Sequence, residues 1–154
     1  MGVLASATLE AGGEVIGVIP DALMGREVSG KPIEDLGATR LEIVDSMHTR
    51  KARMAELSDC FIALPGGYGT LEELLEVITW AQLGFHRKPI GLLNVEQFFD
   101  PLLMLFDHSL EEAFIREECR KLVLDDSDPS RLIDRLMMAS PPAGEGWVTS
   151  KASL

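Results

Sequence analysis

The stretch Leu64-Pro65-Gly66-Gly67-Tyr68-Gly69-Thr70-Leu71-Glu72-Glu73 constrains this chain more than any other. It joins a short apolar run, Cys60–Leu64, to a helix-patterned segment, Thr70–Leu83. An apolar run, a glycine-rich turn and a helix make the strand–loop–helix unit of an α/β protein. The glycines let the backbone turn tightly and bring its amides close to a ligand. The free N–H groups of the first helical turn, with the positive end of the helix dipole, then face an anion such as phosphate. No Gly-Lys-Ser/Thr follows, so this is not a P-loop, and it is not the GxGxxG dinucleotide fingerprint. The competing reading is a plain glycine-rich connection of the sort every α/β protein has.

The rest of the chain repeats the alternation. Leu4, Ala7 and Ala11 keep helical spacing, Gly12-Gly13 supply a stop, and Val15–Ile19 is an unbroken apolar run. A strand apolar on both faces belongs in a covered parallel sheet. Residues 21–44 read as a long Gly/Pro-punctuated loop with one short strand near Leu41–Val44. A helix is expected from Ser46 to Leu57, with Asp45 or Ser46 as N-cap. A third short strand is expected at Ile90–Leu93, and helices at Phe98–Leu110, Leu110–Lys121 and Ser130–Met138, the last opening on Asp128-Pro129-Ser130. From Ser140 onward periodicity is lost, so residues 1–139 are expected to form a single α/β domain with a doubly wound parallel sheet and 140–154 a disordered tail.

Charge narrows the function classes. The chain has 154 residues with 14 Lys+Arg against 25 Asp+Glu, a formal net charge of −11. Nucleic-acid and anionic-membrane binding both need a basic surface to displace counterions, so neither is expected. No apolar run approaches the length of a membrane span. Two cysteines, Cys60 and Cys119, with no CxxC pairing, fit a reducing compartment, and a cytoplasmic location with the nucleus second is the expectation. His48, His86 and His108 fall in no metal-ligand spacing, and GxSxG is absent.

Two charged side chains stand out on otherwise apolar helix faces. With Thr70 as N-cap, Glu73 takes the third helical position, so Thr70-x-x-Glu73 reads as a capping box. On a helical wheel, however, Glu73 shares a face with Val77 and Trp80, nearly opposite the stripe Leu71, Leu74, Leu75 and Ile78. A second apolar face carrying one carboxylate points to a pocket wall or a subunit contact. Arg50 lies near the centre of the stripe Met47, Met54, Leu57 on the preceding helix. It is either a structural ion pair or snorkelling group, or an arginine aimed at the ligand of the glycine loop. Lys51 is its neighbour, more often solvated than functional.

Met47-His48-Thr49-Arg50-Lys51, followed one helix and one strand later by Pro65-Gly66-Gly67-Tyr68-Gly69-Thr70-Leu71-Glu72-Glu73, closely resembles the LONELY GUY family of cytokinin riboside 5′-monophosphate phosphoribohydrolases. The resemblance extends to Val15–Pro20, Arg26-Glu27 and Glu76–Gly84, and reaches about Met138. It implies a Rossmann-like fold, a homodimer, no metal or organic cofactor, and release of the free base from a cytokinin nucleotide to leave ribose 5-phosphate. Carried over by position, it implies Arg50 and Glu73 as the catalytic pair. Glu27, Arg50, Lys51, Gly66, Gly67, Tyr68, Gly69, Thr70, Leu71, Glu72, Glu73 and Thr79 would hold the substrate. The family ordinarily opens with a strand, a helix and a second strand leading into a glycine-rich loop, of which only Met1-Gly2 is matched. The chain is therefore expected to lack the first βαβ segment. The alternatives are a nucleotide-binding module or inactive short isoform, and a general purine nucleotide (AMP) phosphoribohydrolase. A lysine decarboxylase has no recognisable pyridoxal-phosphate lysine to support it.

Overall fold

The strands of the chain, seen in a computed structural model that describes residues 2–23 and 38–140, are all parallel to their neighbours. They fall in two compact units that divide between Leu57 and Ser58, with one sheet in each. Glu27, Arg26 and the segment 141–154 lie outside the described residues.

In the first unit, α1 (Gly2–Glu10) ends where Gly12 takes φ 80°, a conformation that costs glycine nothing. Its apolar residues are not used for burial, since none of them is buried. Strand β1 (Ile16–Pro20) pairs with β2 (Arg40–Val44), with Ile16 opposite Arg40 and Pro20 opposite Val44. Helix α2 (Met47–Leu57) follows, opened by the Ser46 hydroxyl, which accepts from the Thr49 N–H at 3.1 Å. Of the two expected caps Ser46 is therefore the one used, and Asp45 accepts the Thr49 hydroxyl at 2.5 Å beside it.

The second unit is a three-stranded sheet in the order β3 (Phe61–Ala63), β4 (Ile90–Leu93), β5 (Val123–Asp126). Register places Phe61, Ile90 and Val123 side by side, with Ala63 beside Leu92. That face meets Leu74 and Ala81 of α3 (Tyr68–Leu83), Phe99, and α4 (Asp100–Glu111) in the hydrophobic core. The opposite face carries Ile62, Gly91 and Leu124, and α6 (Pro129–Met138) lies over it. Gly91 has no room for a side chain there, because an added Cβ would stand 3.0 Å from the δ-carbons of both Leu132 and Leu136. Helices on both faces of a parallel sheet are the Rossmann-like arrangement expected.

Several expectations are corrected. The helix over Leu110–Lys121 does not form as one piece. Helix α4 runs on to Glu111, Ala113 adopts φ 59°, and only α5 (Glu117–Arg120) is helical beyond it. Strand β5 was not anticipated at all. Its two terminal aspartates hid it, and Asp126 is balanced by Arg131 and Arg135 from α6.

Candidate functional site

The glycine-rich loop leaves β3 at the carboxyl end of the sheet, the edge at which open α/β sheets present ligand-binding loops. Helix α3 starts earlier than its sequence implies, at Tyr68, with extended Gly67 as N-cap and no side chain capping it. The capping box is therefore not formed: Thr70 is the third helical residue and Glu73 lies in the second turn. Physically, Gly67 and Gly69 permit the helix to begin inside the glycine run. The first intrahelical bond is donated by the Leu71 N–H to Gly67 O at 3.1 Å. The amides of Tyr68, Gly69 and Thr70 precede it, and this set of donors at the head of a long helix favours an anion.

Thr70 fixes the loop from the other side. A Cβ at Gly66 would collide with the Thr70 hydroxyl and lie 2.9 Å from its Cβ, so only glycine fits where the chain passes over the helix start. Tyr68 stands out from the terminus with 93% of its surface exposed. Leu71 packs against the core, Glu72 is exposed, and Glu73 is half-buried. On the second apolar face of α3, Trp80 is 7% exposed and Val77 packs against the core, whereas Leu75 of the supposed core stripe is exposed. Thr79, exposed, turns its hydroxyl back to the Leu75 carbonyl at 2.7 Å.

In the first unit, Arg50 and Lys51 are half-buried on α2. The Arg50 Nε donates to the Val18 carbonyl of β1 at 3.2 Å. Arg53 makes an ion pair that fastens α2 to β2, its guanidinium meeting Glu42 at 2.6 and 3.1 Å, and also meets Glu56 at 2.9 Å. Those hydrogen bonds hold the Glu42 carboxyl below its ordinary range. His48 is exposed on the same helix.

Sequence reasoning missed the turn after β4. Asn94 is buried there, and Val95–Gln97 form a short helical turn in which Glu96 and Gln97 both take positive φ. The only signal was a polar Asn-x-Glu-Gln directly after an apolar strand. A concavity of about 550 Å³ lies elsewhere, lined by Pro89, Ile90, Lys121, Leu122, Arg135 and Met138 among others. It sits where β4 and β5 begin, and it contains none of the site residues. No group of three His, Cys, Asp or Glu among the described residues is placed to hold a metal ion, and no described helix is long and apolar enough to cross a membrane.

Comparison with known proteins adds a family. Residues 1–136 match a family model described as a possible lysine decarboxylase. A cytokinin riboside 5′-monophosphate phosphoribohydrolase of Oryza sativa subsp. japonica is 52% identical over 148 residues, covering 96% of this chain and 59% of the relative. A protein of the same name in Arabidopsis thaliana is 51% identical over 136 residues, covering 88% of this chain and 62% of its own length. A rice protein named a probable cytokinin riboside 5′-monophosphate phosphoribohydrolase is 52% identical over 154 residues, covering 97% and 71%. The chain spans about three fifths of the length of most of these relatives.

Proposed function

The chain belongs to the LONELY GUY family, and from that premise we propose that it hydrolyses the N-glycosidic bond of cytokinin riboside 5′-monophosphates. The observation that carries this reading is the uncapped start of α3 with a carboxylate one turn on. A 5′-phosphate at the amides of Tyr68, Gly69 and Thr70 neutralises the helix terminus. Glu73 follows Thr70 by three positions, and residues so spaced are neighbours on a helix surface. A ribose attached to that phosphate then comes within reach of the carboxylate.

The chemistry follows from the charge that develops. As the bond from C1′ to the base nitrogen breaks, its electron pair leaves with the base, and positive charge builds on the ribose. Glu73 stabilises that charge and takes a proton from the water that adds to C1′, as carboxylates do in glycoside hydrolysis. Arg50 favours negative charge on the departing base, which is protonated as it leaves. Gly66, Gly67 and Thr70 bind the phosphate side of the nucleotide, and Glu27, Lys51, Tyr68, Leu71, Glu72 and Thr79 complete the substrate contacts. In the same reading the chain works as a homodimer in the cytoplasm, with 1–139 as its domain and no cofactor.

Incubation with isopentenyladenosine 5′-monophosphate and with AMP tests this. Free base and ribose 5-phosphate from the cytokinin nucleotide alone support the reading. Base from both makes the chain a general purine nucleotide hydrolase, because the helix terminus reads the phosphate and not the base. Base from neither, with nucleotide still bound, makes it a binding module.

A further inference from the structure

Two successive residues with side chains, Glu96 (φ 52°) and Gln97 (φ 60°), hold the left-handed conformation that glycine adopts freely and other residues avoid. The turn that carries them is pinned. Asn94, 9% exposed, accepts the Phe99 N–H at 2.7 Å on its side-chain oxygen and donates its amide to Asp100 at 2.7 Å. Its backbone N–H donates to the Asp126 carbonyl of β5 at 2.8 Å. Glu96 and Gln97 are themselves exposed, and neither side chain makes a hydrogen bond or ion pair among the described residues. A glycine at position 97 would remove the strain and forfeit no hydrogen bond or ion pair among the described residues. Strain kept where the side chain serves no contact of the fold marks a side chain with a use outside it.

The register says where that use lies. Strands β3 and β4 are parallel neighbours, with Ala63 opposite Leu92, so the turn 94–97 and the glycine loop 64–67 leave the same edge of the sheet side by side. Adjacent strands lie about 4.8 Å apart. A nucleotide with its phosphate at the head of α3 has its sugar hydroxyls several ångströms from that phosphate, a span that can reach the neighbouring turn. Glu96 would be repelled by the phosphate, whereas the neutral amide of Gln97 offers both a donor and acceptors, matched to a hydroxyl.

We propose that Gln97 is a specificity-determining residue that hydrogen-bonds the ribose 2′-hydroxyl and selects ribonucleotides over deoxyribonucleotides. The inference rests on the phosphoribohydrolase reading. Calorimetric titration of the full chain and of Gln97→Gly, both carrying Glu73→Gln so that the nucleotide is not consumed during the measurement, with isopentenyladenosine 5′-monophosphate and its 2′-deoxy counterpart tests it. The chain that keeps Gln97 should favour the ribonucleotide by roughly three- to tenfold, the worth of one hydrogen bond. Gln97→Gly, which relieves the backbone and should melt no lower, should bind the two with equal affinity. An undiminished ribose preference in Gln97→Gly, or no preference in the chain that keeps Gln97, overturns the inference and leaves the reading of the site standing. Binding of neither nucleotide by the chain that keeps Gln97 overturns both.

Discussion

The backbone N–H of Lys88 donates to Nδ1 of His86 at 3.1 Å, while Nε2 of the same ring lies 2.9 Å from the Val77 carbonyl. A carbonyl only accepts and an N–H only donates, so the imidazole is neutral with its proton on Nε2. The ring also packs on Phe61, centroids 5.1 Å apart, and so ties the end of α3 to β3.

Burial pushes the His86 pKa down from 6.5, and the Lys88 charge adds to the effect, against the Val77 hydrogen bond. The unfolded chain then binds a proton near pH 6.5 that the folded chain refuses. Stability is full above pH 6.5 and falls as pH drops through the window below it. Urea midpoints at pH 7.5 and 5.5 should differ for the natural chain and differ less for His86→Gln. An equal pH dependence in both would show that this ring is not the group responsible.

Asp126 makes the opposite pH statement. Hydrogen bonds from Arg131 and from the Asp128 N–H hold its carboxyl well below the carboxylate range. A depressed folded pKa stabilises above the unfolded value of 3.8 and is lost as pH falls below it. Asp126→Asn should therefore lower the melting temperature most at pH 7 and by a smaller amount at pH 2.5, where the loss of the carboxylate's contribution is under way but not complete. Equal losses at both pH values would place the aspartate's contribution in packing and not in charge.

How much of this was legible in the sequence depended on whether a segment's local signals agreed. Asp128-Pro129-Ser130 announced α6, and Asp128 does cap it, accepting the Arg131 N–H at 2.8 Å. Strand β5 was illegible because Asp125 and Asp126 look like loop residues until Arg131 and Arg135 arrive from a later helix to satisfy them. A single helical wheel of α3 could not show that Leu74 and Trp80, on different faces, are both buried. At the glycine loop the sequence placed the strand-to-helix turn and misplaced the helix start. Thr70 looked like a cap, but glycine at 67 took that position with backbone alone.

Gly66 offers a direct test of that loop. Its missing Cβ is what lets the chain pass over Thr70, so Gly66→Ala forces the first turn of α3 apart. Overpacking of this kind costs about 1–3 kcal/mol. Because the amides of Tyr68, Gly69 and Thr70 would shift with it, nucleotide affinity should fall by more than the loss of stability explains. Gly67→Ala, where an added Cβ meets nothing within 4 Å, is the control and should change stability far less. If the two variants melt alike, the Thr70 contact does not set the loop.

Glu73 is the residue on which the proposed reaction turns. It is half-buried in the second turn of α3, so glutamine, nearly its equal in shape, should fit without disturbing the helix. Glutamine keeps hydrogen-bonding capacity but can neither balance positive charge on the ribose nor take a proton from water. Loss of a positioned acid–base group typically costs about 100- to 10,000-fold in rate. Glu73→Gln should release base from isopentenyladenosine 5′-monophosphate at least about 100-fold more slowly. Its urea midpoint should stay near that of the unmodified chain, and nucleotide binding should persist. Chromatographic assay of released base settles the point: retention of most of the activity would remove Glu73 from the chemistry, and a parallel loss of binding would make it a substrate contact only.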